Sequence, residues 1–597
     1  MRLLAALPLL CLSALAAAPD IYVAYPPDQY TVAFDHVLLE GSVPAGASLS
    51  VNGQPAAVGT DGLFILWQPL QAGANTLSLT SRQGDQTGSR TLKVTSAPPT
   101  ALPARPTAIL ADSLTPTTAR SLYTLPPTLE ARTVTVSFRG SPGGQASYRL
   151  GSRGPFPMVE RAPADHPGSA PGLPGVYEGS YVLQPGDRFE AAPVTVRLTG
   201  ADGQTVTATA KGTLSVAETG PRVGVETADI PGRGINAGTF VWRNGAGRNY
   251  IVFPRTGVRT VVIGEEGSTY LARLSGSQTV NIPKDQLRLL PVGSPLPDAV
   301  FTRVSTRVTP THSEVRVELP ERLPFTLEQT SAPGDSHLDL RLYHARSDVD
   351  SIVSASSDPV VQNVRWVQEQ DGVVRLRVDL KGRQPWGFDA TYEGSTLVLR
   401  VKRPPVITAS RPLAGHRILI DPGHGGTENG GAGPLRVNEK DLTLPIAQKL
   451  AARLRALGAS VSLTRERDVT LDLYSRDLLA ETQAAELLVS VHANALPDGA
   501  DPRLSRGAGA YYYWPQARPL VDSILASLAR TLPEVGMDGA HDQNLALTRP
   551  STQLSVLVET AFLTDPQNLR TLMSESGQDR FAQAIAQGIE NFYRQAR

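Results

Sequence analysis

Two histidines and two glutamates in the last third of this 597-residue chain have the types and the placement to do chemistry. His424 lies in Asp421-Pro-Gly-His-Gly-Gly426, His492 in Ser490-Val-His-Ala-Asn494, Glu559 in Val556-Leu-Val-Glu-Thr560 and Glu439 in Asn438-Glu-Lys-Asp-Leu442. Each has an ordinary reading when taken alone. A histidine after a glycine-rich turn is often only a hydrogen-bonded loop residue, and Glu439 suits a first-turn acid that complements a helix dipole. Glu559 closes an apolar run, where a carboxylate is costly unless something binds it. Together the four read as a zinc site made by His424, Glu439 and His492. Three protein ligands leave a fourth position for water, the pattern of a catalytic rather than a structural zinc. A bound metal lowers the pKa of such a water toward about 7. A neighbouring carboxylate must then take the proton and pass it on, which suits Glu559.

These residues need elements that bring them to one rim. Arg417-Ile-Leu-Ile420, Leu487-Leu-Val-Ser-Val491 and the run from 554 to 558 read as buried strands ahead of His424, His492 and Glu559. Apolar residues recur at helical spacing over 444–457 and stop at Gly458, a helix C-cap. Residues 473–485, 518–532 and 578–595 have the same periodicity, with strands at 461–464 and 510–514. Strands alternating with helices predict an α/β catalytic domain over 416–597, with a mostly parallel sheet flanked by helices. In such sheets chemistry gathers at the strand C-terminal ends.

Upstream, the chain reads as multidomain and β-rich. Residues 20–96 alternate short β runs with turn signals, including Asn52-Gly53, and predict an immunoglobulin-like sandwich. Residues 97–107 are a stiff proline-rich linker. Residues 108–218 predict a second β-rich domain with a hairpin turn at Asp202-Gly203. Residues 219–292 hold shorter strands and resemble a small bacterial barrel of the Src-homology type. Residues 297–404 alternate with period two, and their closing run Tyr392-Glu-Gly-Ser-Thr-Leu-Val-Leu-Arg-Val-Lys-Arg403, followed by two prolines, resembles the end of an AMIN-type domain. That resemblance implies a targeting module for the bacterial envelope; a plain β-sandwich spacer is the alternative.

Basic and acidic residues both number 56, which argues against a chain built to neutralise nucleic-acid phosphates. The first 16 residues read as a secretory signal peptide: Arg2, an apolar run over 3–15, and Ala14-Leu15-Ala16 as the cleavage site. Cleavage there removes Cys11, the single cysteine, so zinc ligands must come from histidines and carboxylates. The expected location is exported, in the periplasm or cell envelope. No later run is long enough for a transmembrane segment.

Residues 416–597 resemble the zinc-dependent N-acetylmuramoyl-L-alanine amidases of bacterial cell-wall remodelling. The resemblance is carried by Ile418-Leu-Ile-Asp-Pro-Gly-His-Gly-Gly426, Asn438-Glu-Lys-Asp-Leu442, Val461-Ser-Leu-Thr-Arg465, Arg476, Ser490-Val-His-Ala-Asn494 and Val556-Leu-Val-Glu-Thr-Ala-Phe-Leu-Thr564. It implies Zn2+ on His424, Glu439 and His492, and Glu559 as the catalytic acid/base. The implied reaction cuts the amide between N-acetylmuramic acid and L-alanine in peptidoglycan, for wall remodelling, daughter-cell separation or turnover. An envelope-protein activator is compatible with it. Rival readings are a zinc peptidase acting on the stem peptide and a non-catalytic wall-binding scaffold.

The pattern departs from the family in two places. Ala561-Phe-Leu-Thr-Asp565 stands where the family usually has Gly-Phe-Leu-Ser-Asn. Pro445 sits where the first helix should already be running, which places Glu439 on a turn before the helix proper. Residues 495–553 have room for one β-segment, one helix and a loop, so no inhibitory helix over the zinc is expected.

Overall fold

The computed structural model of the chain describes residues 18–163, 172–228, 233, 238, 240–243, 250–252, 256–332, 334–500 and 506–597. The stretch read as a signal peptide, 1–16, lies outside them. Among the described residues no helix is long and apolar enough to cross a membrane.

Asn52 and Gly53 both take positive φ, 51° and 78°, the pair a tight two-residue hairpin demands. That hairpin belongs to a sandwich of a three-stranded and a five-stranded sheet, closed around Leu39, Leu49, Phe64, Leu77, Leu92 and Val94. In the strand His36–Ser42 the alternation is broken: Leu39 faces the sandwich core, yet its neighbour Glu40 is buried too, at 2% exposure. Glu40 pairs in register with Ile65, and Ile65 packs against the core of the C-terminal domain. The second face of this sheet is therefore covered by the far end of the chain.

The units expected at 108–218 and 219–292 share one continuous ladder. The strand Arg120–Leu122 joins them, pairing parallel with Thr205–Val216 and antiparallel with Arg259–Glu266. Two hydrophobic clusters lie along that ladder, one around Phe138, Tyr148 and Leu198, the other around Val262, Ala272 and Ile282. Between Ala299 and Lys402, two four-stranded sheets enclose Val315, Leu340, Leu376 and Leu399. This unit is seated firmly on the C-terminal domain. Trp386 is 2% exposed, with the rings of Phe592 and Tyr593 at 5.5 and 5.3 Å. The Phe388 amide donates to Ser551 O at 2.8 Å, and Lys402 Nζ donates to Ala485 O at 2.9 Å.

The C-terminal domain is the α/β unit, and its elements are numbered here in chain order. They are β1 (Arg417–Pro422), α1 (Glu439–Ala456), β2 (Ser460–Leu463), α2 (Leu473–Thr482), β3 (Leu487–Asn494), β4 (Ala508–Tyr512), α3 (Arg518–Thr531), β5 (Met537–Asp542), β6 (Leu554–Phe562), α4 (Pro566–Met573) and α5 (Glu575–Gln595). The sheet order is β2-β1-β3-β6-β4-β5, parallel throughout except where β4 runs antiparallel to β6. Period two decides the layers. Ile418, Ile420, Leu487, Val489 and Val491 face the large core with α1, α3 and α5, while Leu419 and Leu488 face a smaller one under α2.

One expectation is corrected. Glu439 does not lie on a turn before the helix; it is the first residue of α1, and Pro445 sits inside that helix. The start is fixed by Asp441, whose carboxylate accepts from the Asn438 amide at 3.0 Å. The missing proline N–H in the second turn is outweighed by the buried stripe of Leu442, Ile446, Leu450 and Leu454. Periodicity alone did not reveal β5 or α4, both short and flanked by glycine or proline. The helix of the 495–553 segment, α3, packs its buried face into the large core beside α5.

Burial pushes the Glu40 carboxyl up to about 8. A carboxyl raised in the folded state favours folding fully below its unfolded pKa, and that contribution is lost as pH climbs through the folded value. Thermal unfolding of the full chain should therefore show a stability loss between about pH 4.5 and about pH 8, on the order of 5 kcal/mol. Glu40→Gln should flatten that part of the profile, and an unchanged profile would contradict this account of Glu40.

Candidate metal centre

The parallel strands bring the four residues to one edge. Pro422 of β1 is in register with Val491 of β3, and His492 with Glu559 of β6. His424 stands two residues beyond β1, and α1 begins with Glu439 close by. Both strands run past the histidine and the glutamate: His492 lies inside β3 and Glu559 inside β6.

Glu439 is the hub. Its Oε2 lies 3.1 Å from His424 Nε2 and its Oε1 2.9 Å from His492 Nδ1. The same carboxylate accepts from the Gly431 amide at 2.9 Å and the Ala493 amide at 3.1 Å. One donor atom from each of His424, Glu439 and His492 falls within 4.8 Å of the others, close enough for small side-chain adjustments to bring all three onto one ion. Burial opposes ionisation of Glu439, but the two imidazoles more than offset it and hold the carboxyl well below the usual range. Burial likewise presses His492 down, and Glu439 beside it, with Glu559 and Asp421, raises it instead.

Glu559 completes the group from the next strand. Among the described residues its buried Oε2 meets no hydrogen-bond partner. Burial raises its carboxyl to about 7, against the pull of His492 and with the help of Glu439 and Asp538. A buried orphan oxygen is expensive in a finished structure unless a further group meets it. Two imidazole nitrogens, one carboxylate and a proton-accepting neighbour form a donor set that suits zinc.

Comparison with known proteins follows the same geometry. The family model for N-acetylmuramoyl-L-alanine amidase matches residues 418–591. The germination-specific N-acetylmuramoyl-L-alanine amidase of Bacillus subtilis is 31% identical over 200 residues, 31% of this chain and 82% of that protein. The chain belongs to this amidase family. A longer match, 24% identical over 397 residues, joins it to the amidase AmiC of Neisseria meningitidis and covers 50% of this chain and 93% of AmiC. A solved amidase, AmiC2 of Nostoc punctiforme, is 32% identical over 30% of this chain and 98% of its own, with a TM-score of 0.29.

The remaining motif residues of this amidase support the site from behind. Asp421 is fully buried and accepts from Thr464 Oγ1 at 2.5 Å, Ser490 Oγ at 2.6 Å and Arg476 Nη1 at 2.7 Å. Arg476 also donates to the His424 carbonyl at 3.0 Å, pinning a residue whose φ of +59° is unfavourable for a side chain with Cβ. Arg465 donates to the carbonyls of Pro422 and Gly423, at 3.0 and 2.9 Å. Gly423 leaves space that a Cβ would take from the His492 ring, 2.5 Å away. Three residues beside Glu559 had no signal in the sequence. Tyr511 hydrogen-bonds Asn494 and stacks on His541 at 4.8 Å, and His541 Nε2 meets Asp538 at 2.8 Å. They belong to β4 and β5, which only the sheet order brings next to β6.

Equilibrium dialysis against zinc should rank the supports. Glu439→Gln should cost more than about 100-fold in affinity and Asp421→Asn about 10-fold to 100-fold, as expected for a ligand and for a group behind one. Wild-type affinity in Glu439→Gln would remove it from the site.

Proposed function

We propose that the chain is a zinc-dependent N-acetylmuramoyl-L-alanine amidase that hydrolyses the amide between the lactyl group of N-acetylmuramic acid and L-alanine in peptidoglycan. The reading is carried by one observation, the Glu439 carboxylate shared between His424 and His492, with Glu559, whose Oε2 is an orphan among the described residues, in strand register with His492. His424, Glu439 and His492 would hold Zn2+. Bound there, the metal supplies Lewis acidity that polarises the amide carbonyl and acidifies water.

The chain's own residues do the rest. Glu559, with its carboxyl near 7, is matched to accept a proton from the attacking water at neutral pH and return it to the departing alanine nitrogen. Asp421, Arg476 and Arg465 hold the His424 loop and Glu439's helix still, so the carbonyl meets a preformed site. The exported location, the periplasm or envelope, and the AMIN-like targeting role of residues 297–404 belong to this proposal. So does an envelope-protein activator as partner.

Glu559→Gln should retain zinc and lose turnover by about 1000-fold or more, because it keeps shape and removes the base. His424→Ala should lose both. The products separate the amidase from a stem-peptide peptidase: mass spectrometry should find intact peptides with a free L-alanine amino end. Peptides cut internally would favour the peptidase, and full activity in Glu559→Gln would remove its assigned role.

A further inference from the structure

The N-terminal sandwich returns to the active-site rim, although most of the chain separates the two in sequence. Three polar contacts make the junction, and each falls on a segment that carries one of the proposed reacting residues. Ahead of Glu439, a small hairpin of Ala432–Gly433 and Val437–Asn438 presents Arg436, which pairs with Asp20 and lies over the Tyr22 ring at 4.5 Å. Beyond His492, the segment after β3 presents Asp498. The hydroxyls of Tyr25 and Tyr30 both donate to its carboxylate, the second at 2.9 Å. Beyond Glu559, α4 presents Arg570, which donates twice to Asp61 at 2.6 and 3.1 Å.

The packing between these points is close. Leu63 of the sandwich is 3% exposed and belongs to the hydrophobic core of the C-terminal domain. A Cβ on Gly499 would stand 2.4 Å from the Phe34 ring, and one on Gly59 2.5 Å from the Arg570 guanidinium. The Glu439 and His492 segments also touch each other, since a Cβ on Gly431 would lie 3.2 Å from that of Ala495. A loosely tethered wall-binding module would need none of this. Long segments that leave a catalytic edge are the parts of an α/β domain with the least intrinsic order.

We propose that the N-terminal sandwich is a built-in brace of the amidase site, in which Asp20, Tyr25, Tyr30 and Asp61 are positioning residues. They hold the three segments that carry Glu439, His492 and Glu559, and so shape the mouth that receives a peptidoglycan strand. The inference rests on the amidase reading above. Bracing acts on binding of the strand outside the reacting bond, so its loss shows in KM rather than in kcat or metal content.

The test uses the full chain. Tyr25→Phe with Tyr30→Phe keeps both rings and removes both donors. It should raise KM for purified peptidoglycan roughly tenfold, the scale of losing hydrogen bonds to a carboxylate, with kcat within about twofold. Zinc content should stay at the wild-type level, and deuterium exchange over residues 494–500 should quicken. Arg570→Asp should act in the same direction, and Asp61→Arg with Arg570→Asp should restore KM. Unchanged KM and exchange would overturn the brace. Raised turnover would also overturn it, making the sandwich an inhibitory lid, as would a joint loss of kcat and zinc that the charge swap does not rescue. If wild type released no peptides from peptidoglycan, the amidase reading would fall, while the exchange of 494–500 would still decide the brace.

Discussion

A carboxylate buried between two imidazoles is the constraint on which the rest of the C-terminal domain turns. Glu439 cannot be taken out of water without partners, and the structure supplies four: His424, His492 and the amides of Gly431 and Ala493. Satisfying it fixes the start of α1, the course of the glycine-rich segment before it, and the distance between β1 and β3 at their C-terminal ends. Asp421 repeats the logic one layer down. Its buried charge is matched by Arg476, which in turn holds the strained backbone of His424. Each buried charge makes the next necessary, and the chain of them ends at the place where zinc fits.

Glu559 is the exception that gives the site its proposed reactivity. Among the described residues its Oε2 has no partner, and burial lifts its carboxyl to about 7. Next to it stands Glu439, held far in the opposite direction by its histidines. Two glutamates in one site are thus pushed in opposite directions, one toward its charged form and the other toward its neutral form, which is the division of work proposed for them. The difference is set by partners and not by residue type.

The β units are more than spacers for this domain. Trp386 enters its core from one side and Leu63 from another, so the catalytic core is completed by residues from two upstream units. An isolated 416–597 fragment would expose the slots that these side chains fill. Charge and hydrogen bonding at Asp20, Tyr25, Tyr30 and Asp61 then add orientation to the burial that Leu63 supplies.

Much of the site was legible in the sequence because its chemistry is local. Short motifs place each histidine and glutamate next to a strand or a helix start, and continuous apolar runs say which strands are buried on both faces. Turn chemistry at Asn52-Gly53 is equally local and appears as expected. Pro445 misled, since a proline's local preference yields when the rest of the helix buries a full apolar stripe. Other features had no local trace. The pairing of β4 and β5 beside β6, which brings Tyr511, Asp538 and His541 to Glu559, depends on strand order. The ladder joining residues 108–218 to 219–292 and the seating of the sandwich on Arg436, Asp498 and Arg570 are contacts between distant segments. Residue type and period determine what a segment can do; which segments meet is decided by how all the apolar faces are covered at once, and that is settled only in the folded molecule.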